Sequence, residues 1–341
     1  MKDGLGSALL AGLLLLAAPG ATSTPEEPRL ALVIHGGAGT MRRSDFTDEL
    51  ERRYRSELQE ALETGFGILS GGGSSLDAVE ATIRVLENSE LFNAGKGAVF
   101  TSEGKNELDA SIMDGSTLQA GAVAGVTNIR HPISAARAVM EQTKHVVLSG
   151  RGAEEFAESI GLEIVEPGYF FTQRRWDSLQ RARDLENKAR AETGATARDP
   201  YARAMGTVGA LALDSTGRLA AGTSTGGTTN KHWGRIGDSP IIGAGTYANS
   251  RCAVSSTGTG EYFIRHAVAH DICARAEYLN QSVADAARTV IFEVLDPDIG
   301  GVITLDSQGN PGMPFNTEGM YRGYMLSNGE SRVEIYNDQG E

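Results

Sequence analysis

The sequence predicts an α+β fold in which two β-sheets pack face to face and helices cover their outer faces. Short apolar runs bounded by Gly, Asp and Ser recur along the chain, and two are followed by similar turns, Asp214-Ser215-Thr216-Gly217 and Asp306-Ser307-Gln308-Gly309. Segments with helical periodicity separate these β-rich blocks. Because each element must bury its apolar face against another layer, a sheet-on-sheet core with external helices is the simplest arrangement.

The composition is that of a globular protein with an unusual glycine content. The chain has 341 residues, 40% of them hydrophobic and 22% charged, with a net charge of -13 and 43 glycines. No basic cluster is present, so a nucleic-acid partner is not expected. The glycines fall in doublets between apolar runs, which indicates many tight turns and close backbone approaches.

The first 23 residues resemble a secretory signal peptide. Lys2 precedes an uncharged apolar run, Ala8 to Ala18, and Ala21-Thr22-Ser23 supplies small residues for cleavage. The run is shorter than the ~20 residues needed to span a bilayer, although a hydrophobic anchor is the alternative. We therefore expect an exported protein, periplasmic or extracellular, that is free of the membrane after processing.

Two cysteines, Cys252 and Cys273, allow two interpretations. In an exported protein they can pair with each other. Each also lies in an apolar context, where a buried free thiol is equally reasonable. No Cys/His spacing indicates zinc.

The first half of the chain alternates strands and helices. A buried strand at Leu30–His35 leads into a Gly-rich turn, Gly36 to Gly39, and Ser75 is predicted to cap the second helix. The other predicted elements are a helix over 47–69, a helix over 76–88, paired strands at 98–101 and 108–113, a strand at 120–126, helices from Pro132 to Gln142 and over 152–160, a short strand at 146–148 and an amphipathic helix over 172–190.

The second half is predicted to be richer in strands. A polar run at about 191–206 is the best candidate for a flexible linker. A hairpin follows, with strands at Val208–Leu213 and Leu219–Gly222 around the turn beginning at Asp214. Further strands are predicted at 241–245, 252–256 and 302–305, and helices at 261–278 and 282–294.

Thr207 is a candidate nucleophile because of its position. It opens a buried strand directly after Gly206 and the polar run, as expected of a chain cut to expose a new N-terminus. A free N-terminal threonine combines a nucleophilic hydroxyl with an α-amine of reference pKa near ~8 that can accept the proton. From the local pattern alone, an ordinary turn followed by a strand is the more common explanation.

Three further groups in the same half carry suitable chemistry. Thr225 lies one hairpin away from Thr207, where its hydroxyl can approach the nucleophile. Arg235 and Asp238 place a cation and an anion three residues apart, which suits the α-carboxylate and α-ammonium of an amino acid. Thr257 and Gly258 follow a strand and can hold a developing oxyanion.

A serine esterase is the alternative interpretation of the same stretch. Gly222-Thr223-Ser224-Thr225-Gly226 matches the G-x-S-x-G pattern, with Asp238 and His266 in the expected order and His35-Gly36-Gly37 as an oxyanion loop. The pattern requires a helix after the serine, however, and Gly227-Thr228-Thr229-Asn230-Lys231 does not begin one.

Taken together, the motifs resemble the plant-type asparaginase and isoaspartyl peptidase family of N-terminal-nucleophile hydrolases. The similarity covers nearly everything after the signal segment. The matching runs are His35-Gly36-Gly37-Ala38-Gly39, Leu91-Phe92-Asn93-Ala94-Gly95, Leu108-Asp109-Ala110, Met113-Asp114-Gly115, Gly206-Thr207-Val208-Gly209, Thr223-Ser224-Thr225-Gly226-Gly227, Arg235-Ile236-Gly237-Asp238-Ser239-Pro240, Ser256-Thr257-Gly258-Thr259-Gly260-Glu261 and Phe315-Asn316-Thr317-Glu318-Gly319-Met320.

The resemblance implies a four-layer αββα sandwich and a specific maturation. Cleavage of the Gly206–Thr207 bond would yield an α chain, 24–206, and a β chain, 207–341, that build one domain and assemble as a dimer of αβ units. Implied substrates are L-asparagine and β-aspartyl dipeptides. The implied roles are nucleophile for Thr207, tuning of that hydroxyl for Thr225, head-group binding for Arg235 and Asp238, the oxyanion hole for Thr257 and Gly258, and maturation for Asn93.

The resemblance implies no catalytic cofactor but a structural sodium ion bound by main-chain carbonyls. By position these carbonyls belong to Leu86, Glu87, Ser89, Phe92, Ala94 and Lys96. Two rival functions remain. A glycosylasparaginase is mildly favoured by the export signal, and an uncleaved binding or scaffold protein is disfavoured by the presence of Thr207, Arg235 and Thr257.

Overall fold

The computed structural model describes residues 29–39, 41–193 and 206–337. The predicted signal peptide, 1–23, lies outside the described residues, as do positions 194–205 of the predicted linker. Residues 191–193 of that linker are instead the end of a helix. Among the described residues no helix combines the length and apolar character needed to cross a membrane.

Strands and helices alternate along the chain as follows. The strands are β1 Ala31–Gly39, β2 Leu108–Asp114, β3 Ala120–Val126, β4 Val147–Ser149, β5 Val208–Leu213, β6 Leu219–Thr225, β7 Thr246–Ala248, β8 Cys252–Gly258, β9 Gly300–Asp306, β10 Pro311–Gly312, β11 Gly319–Leu326 and β12 Ser331–Tyr336. The α-helices are α1 Asp48–Ser70, α2 Ser75–Asn88, α3 Pro132–Gln142, α4 Gly150–Ser159, α5 Gln173–Thr193, α6 Gly260–His266, α7 Val268–Tyr278 and α8 Val283–Thr289.

The described strands form two sheets. The larger has the order β12-β11-β1-β5-β6-β2-β3-β4, and the smaller has the order β10-β9-β8-β7. Only the β3–β4 pair is parallel among these ladders. The predicted hairpin is present as β5 and β6, paired antiparallel from Val208↔Ser224 to Leu213↔Leu219.

Alternate residues of β1 bury its two faces in different cores. Leu32 and Ile34 pack with helical residues that include Leu58 of α1. Val33, between them, joins a second core with Ile303 of β9 in the smaller sheet. Successive side chains point to opposite faces of a strand, so a strand buried on both sides shows the continuous apolar run seen here.

The smaller sheet has helices on its other face. Val254 of β8 and Val302 of β9 pack there with a third core that includes Ile272 of α7. The chain is thus an α+β protein with layered sheets, as predicted.

Helix starts follow their capping residues. Thr47 accepts a hydrogen bond from the Leu50 N–H at 3.2 Å and begins α1. The prediction that Ser75 caps α2 was wrong by one residue, because the Ser74 hydroxyl accepts from the Asp77 N–H at 3.2 Å. Ser75 is already helical, and its own N–H donates to Asp214 Oδ2 at 3.0 Å.

Three predicted elements differ in the structure. Residues 98–101 are not a strand, because the Asn106 side chain satisfies the carbonyls of Ala98 and Val99 and β2 pairs with β3 and β6 instead. Residues 241–245 form a turn in which the Gly245 N–H donates to the Ile241 carbonyl. The helix predicted over 261–278 is broken at Ala267, where φ is 47°.

Cys252 and Cys273 form a disulfide, which settles the alternative left open by the sequence. The bond joins β8 to α7, and both cysteines are buried. It therefore ties the strand that carries Thr257 to the helices behind it.

Candidate active site

Thr207 directly precedes β5, with its hydroxyl directed at Thr225. Thr207 Oγ1 donates to Thr225 Oγ1 at 3.0 Å, and the Gly227 N–H donates to the same Thr225 oxygen at 3.0 Å. The hairpin register explains the contact, since Val208 pairs with Ser224 and the next pair outward is Thr207 with Thr225. Both threonines are buried.

Asn93 holds the Gly206–Thr207 peptide from the other side. Its N–H donates to the Gly206 carbonyl at 2.9 Å, and its side-chain amide donates to the Gly227 carbonyl at 2.7 Å. Asn93 Oδ1 in turn accepts from the Val99 N–H at 3.0 Å. One fully engaged asparagine therefore positions the carbonyl next to Thr207 relative to the end of β6.

His35 is a site residue that the sequence reasoning placed only in the esterase alternative. Its Nδ1 lies 2.9 Å from the Thr207 carbonyl and its Nε2 lies 2.8 Å from Ser255 Oγ. Burial lowers the pKa of His35 to about 3, so the ring is neutral. A carbonyl can only accept, so Nδ1 carries the proton and Nε2 accepts from Ser255. The sequence did offer one signal for this role, because His35 is the only ionisable residue in an apolar strand.

The predicted Gly-rich turn after His35 was wrong in form. Residues 36–39 continue β1 with an irregularity between His35 and Gly37, where Gly37 has φ 116°. The expected close approach is real, however. A Cβ at Gly36 would lie 2.5 Å from the Phe92 ring, so glycine allows the loop carrying Asn93 to pack against β1.

Buried hydroxyls connect His35 to the middle of the molecule. Ser255 Oγ lies 2.7 Å from Thr223 Oγ1, which accepts from Thr246 Oγ1 at 2.5 Å. At the far end of this series of hydrogen bonds, Ser111 Oγ donates to the Ser239 carbonyl at 2.6 Å. These hydrogen bonds cross between the two sheets and so fix their relative position.

Arg235 is held by a carboxylate that the sequence reasoning did not assign. Its Nε and Nη2 each donate to Glu261 at 2.9 Å, a bidentate pair. Hydrogen bonds and attraction from Glu261 keep the pKa of Arg235 above its usual value despite burial. Glu261 was present in a matching run, but its spacing of 26 residues from Arg235 gave no signal of contact.

Asp238 converges with Arg235 on Gly260, the first residue of α6. A Cβ at Gly260 would lie 2.7 Å from Asp238 Oδ1 and 2.9 Å from Arg235 Nη2. Asp238 Oδ2 is buried and accepts no hydrogen bond from any described residue. Burial raises the pKa of Asp238 to about 7, against the lowering effect of Arg235. A buried carboxylate oxygen without a donor is suited to a bound cation.

Thr257 and Gly258 end β8 on the side of the smaller sheet that faces Thr207. Ser255, which hydrogen-bonds His35, is two residues before Thr257, and residues two apart share a face of a strand. Thr257 Oγ1 accepts from the Ala38 N–H at 3.1 Å. Gly258 has φ 153°, and a Cβ there would lie 2.3 Å from the Ile299 carbonyl oxygen, so only glycine fits.

A second buried carboxylate lies beside Thr225. Asp109 of β2 pairs with Thr225 of β6 in the register and therefore shares its face of the sheet. Asp109 Oδ1 accepts from the Gly125 N–H at 2.8 Å, while Oδ2 is buried and has no partner among the described residues. The nearby ammonium of Lys231 opposes the burial that raises the pKa of Asp109.

The loop expected to hold sodium has main-chain carbonyl oxygens packed closely against its glycines. A Cβ at Gly97 would lie 2.0 Å from the Phe92 carbonyl oxygen and 2.8 Å from that of Ser89. A Cβ at Gly95 would likewise lie 2.2 Å from the Glu87 carbonyl oxygen. Main-chain carbonyls suit a hard cation, so the residues present fit the group. No cluster of His, Cys, Asp or Glu in the described parts of the chain forms a metal site.

The structure does not support the esterase alternative. Ser224 Oγ donates to the buried Glu87 carboxylate at 2.6 Å, on the face of β6 opposite to Thr225. The described segment after β6 is non-helical until α6 begins at Gly260, so the strand–turn–helix geometry is missing. His266 is exposed at the end of α6.

Comparison with known proteins agrees with this geometry. The family model described as asparaginase matches residues 28–335. Among similar proteins, the isoaspartyl peptidase of Salmonella typhimurium is 49% identical, covering 91% of this chain and 99% of its own length. That of Escherichia coli is 48% identical, covering 92% and 98%. The plant-type L-asparaginase of Pyrococcus furiosus is 41% identical, covering 87% and 96%.

The family model spans nearly the whole described chain, and the residues placed above lie within its range. The family named on the sequence motifs is thereby confirmed. The chain belongs to the asparaginase family and is an amidohydrolase.

Proposed function

We propose that this enzyme hydrolyses the side-chain amide of L-asparagine and the isopeptide bond of β-aspartyl dipeptides, with Thr207 as nucleophile. The observation that carries the proposal is the 3.0 Å hydrogen bond between the Thr207 and Thr225 hydroxyls at the start of a buried strand. The names of the relatives, isoaspartyl peptidase and L-asparaginase, support the same substrates.

Maturation would proceed by attack of Thr207 Oγ1 on the Gly206 carbonyl carbon. The C–N bond breaks, the nitrogen takes the hydroxyl proton, and an ester joins Gly206 to Thr207. Water then hydrolyses the ester, leaving a carboxylate on Gly206 and a free α-amine on Thr207. The Asn93 N–H supports this step, because it donates to the oxygen that becomes negative.

Turnover would use the new amine as the base. The amine accepts the Thr207 hydroxyl proton while the oxygen attacks the substrate's side-chain carbonyl. The leaving nitrogen departs with that proton, and water hydrolyses the β-aspartyl ester to release aspartate. Thr257 and the Gly258 N–H are suited to the developing oxyanion, and Thr225 to orienting the nucleophile.

Specificity would come from Arg235 and Asp238. The unpartnered Asp238 oxygen suits an α-ammonium, and the Arg235 fork suits an α-carboxylate that displaces Glu261. An α-linked peptide bond lacks one of these charges and would leave a buried charge unpaired, at a cost of about 3–5 kcal/mol.

The proposal also covers the layering of the fold, its assembly, a bound ion and export. The two sheets and their helices would form a four-layer αββα sandwich of the N-terminal-nucleophile type. Two αβ units would assemble as a dimer, and a structural sodium would lie among the carbonyls of the 86–97 loop. Export is supported by the signal-like residues 1–23 and by the disulfide, since such bonds persist in oxidising compartments.

Intact-mass analysis of the wild type beside Thr207→Ala tests the proposal. We expect two chains in the wild type, the smaller beginning at Thr207, and one uncut chain in the variant, with turnover reduced by about 10⁴ or more. Thr225→Ser, which keeps a hydroxyl, is the matched control and should still be cut. An uncut wild type with full activity would exclude Thr207 as an N-terminal nucleophile.

Assays on three substrates separate the rival functions. L-Asparagine and β-Asp-Leu should be hydrolysed. Hydrolysis of glycoasparagine alone would identify a glycosylasparaginase, and no turnover of any of the three would favour a binding or scaffold protein.

A further inference from the structure

A cavity of about 240 Å³ borders the Gly206–Thr207 bond and is not used by the chemistry above. Its wall includes Gly206, Gly36 and two consecutive arginines, Arg174 and Arg175. Arg235 and Asp238 are not part of the wall, and they converge on Gly260 instead. The cavity is therefore separate from the head-group clamp, the name used here for Arg235 and Asp238, although both lie near Thr207.

The two arginines carry positive charge without an acidic partner in the part of the chain that the structure describes. Arg174 donates to the Tyr54 hydroxyl at 2.8 Å and the Leu91 carbonyl at 2.7 Å, and Arg175 donates to the Gly97 carbonyl at 2.7 Å. Neither guanidinium forms an ion pair with a carboxylate of the described chain. Asp45 also lines the cavity, but it is exposed and pairs with neither arginine.

The position of the arginines adds to the positive potential. Both lie in the first turn of α5, and that turn contains no acidic residue. A helix N-terminus disfavours cations and favours anions. Burial and repulsion from Arg174 lower the pKa of Arg175 to about 10, well above neutral pH, so the charge persists. Two guanidinium groups so placed are stabilised by a bound anion.

The rest of the wall is apolar and aromatic. The rings of Tyr54 and Tyr321 stack at 4.3 Å between centroids, and Phe46 and Leu50 also line the space. A volume of 240 Å³ corresponds to about eight waters of ~30 Å³ each, which is room for one amino-acid residue. An apolar side chain with a carboxylate matches this lining.

We propose that the Arg174–Arg175 cavity binds the C-terminal residue of a β-aspartyl dipeptide, with the arginines contacting its α-carboxylate. The proposal rests on the function proposed above. With the aspartyl head at Arg235 and Asp238 and the reacting carbonyl at Thr207, the cavity receives the part of the substrate beyond the cleaved bond. L-Asparagine has only ammonia there, so the cavity distinguishes the two substrates and favours dipeptides.

A second carboxylate could bind the same arginines, namely the one that cleavage creates on Gly206. That group would occupy the cavity in every matured molecule. It would affect all substrates alike, whereas a leaving-group subsite affects only substrates that carry the second carboxylate.

The test compares β-Asp-Leu, its C-terminal amide and L-asparagine on the matured wild-type enzyme. We expect the KM of the amide to exceed that of β-Asp-Leu about tenfold, equal to about 1.4 kcal/mol, and added salt to reduce the difference. Equal KM values for the two dipeptides would overturn the proposal without any variant. Failure of all three substrates to react would instead refute the proposed function.

Variants then assign the effect to the arginines. Arg174→Gln and Arg175→Gln should raise the KM of β-Asp-Leu about tenfold, abolish the difference from the amide and leave the KM of L-asparagine unchanged. Arg181→Gln, on the same helix and hydrogen-bonded among the described residues to Ser178, is the matched control. Equal changes in KM for all three substrates, together with altered chain cleavage, would overturn the subsite. They would indicate that the arginines bind the Gly206 carboxylate instead.

Discussion

The nucleophile region and the head-group clamp differ in the kind of polar group that forms them. The groups that hydrogen-bond around Thr207 are hydroxyls, carbonyls, amides and a neutral histidine, and each contact described is within 3.1 Å, while the Asp109 carboxyl lies beside Thr225. At the clamp the groups are ionisable, and burial raises the pKa of Asp238 to about 7. Arg235 is paired with Glu261, and Asp238 Oδ2 has no partner in the part of the chain that the structure describes.

The difference shows what the fold completes by itself and what it leaves for a ligand. Neutral hydrogen bonds can be satisfied within the protein at little desolvation cost. A buried charge requires an opposite charge, and its absence costs several kcal/mol. We therefore expect changes at the nucleophile to affect kcat and changes at the clamp to affect KM.

Among the changes that test this comparison, replacement of the clamp arginine is expected to have the largest effect. Arg235→Ala should raise KM for L-asparagine and β-Asp-Leu by about 10² or more, because it removes the charge that would pair with the bound α-carboxylate, and loss of such a pair costs about 2–5 kcal/mol. Chain cleavage should persist, since no substrate head group takes part in it. Arg235→Lys is the control that retains charge without the bidentate fork. Unchanged KM in Arg235→Ala would contradict the assignment.

Removal of the hydroxyl beside the nucleophile should have an intermediate effect. Thr225→Val keeps the shape but leaves Thr207 Oγ1 and the Gly227 N–H without their common acceptor. We expect kcat to fall about 10- to 100-fold, for a loss of about 1–3 kcal/mol, with KM nearly constant. Steady-state kinetics with β-Asp-Leu measure both. A rise in KM at constant kcat would mean that Thr225 binds substrate instead.

The smallest effect concerns stability and its pH dependence. Asp238 has its pKa raised to about 7 by burial, so the folded state retains a proton that the unfolded state releases near pH ~4. Its contribution to stability therefore declines as pH rises from about 4 to about 7. Asp238→Asn should raise the Tm at pH 8 by about 2 °C or more, and the gain should vanish at pH 4.

Activity should show the opposite pH dependence at the same residue. The wild-type kcat/KM should fall as pH drops below about 7, because a protonated carboxyl cannot pair with an α-ammonium. Asp238→Asn should be poorly active throughout. A Tm at pH 8 that is lower in the variant would show that the carboxylate already has a partner in the free enzyme.

Local sequence signals determined much of the secondary structure. The i, i+4 apolar spacing located α1, and the Asp214 turn located the β5–β6 hairpin. The hairpin is the reason that Thr225 could be assigned to Thr207, because residues near in sequence meet through a short turn. Where the local pattern was ambiguous, as at residues 98–101 and 241–245, the strands predicted from apolar runs were wrong.

Contacts over long sequence separations could not be found in this way. Glu261 reaches Arg235, His35 reaches Thr207, and Arg174 with Arg175 reaches the cavity at Gly206 only after two sheets have packed and α5 has docked. Such pairings depend on which faces are buried together, and an apolar run records burial but not its partner.

The sequence by itself therefore determined the family, the α+β class and the candidate residues, since local propensity and ordered motifs carry that information. Only the tertiary structure decided that the cysteines pair, that Ser224 faces Glu87, that His35 is neutral and that Asp238 retains an open oxygen. These properties depend on desolvation and on neighbours supplied by distant segments, and both exist only in the packed molecule.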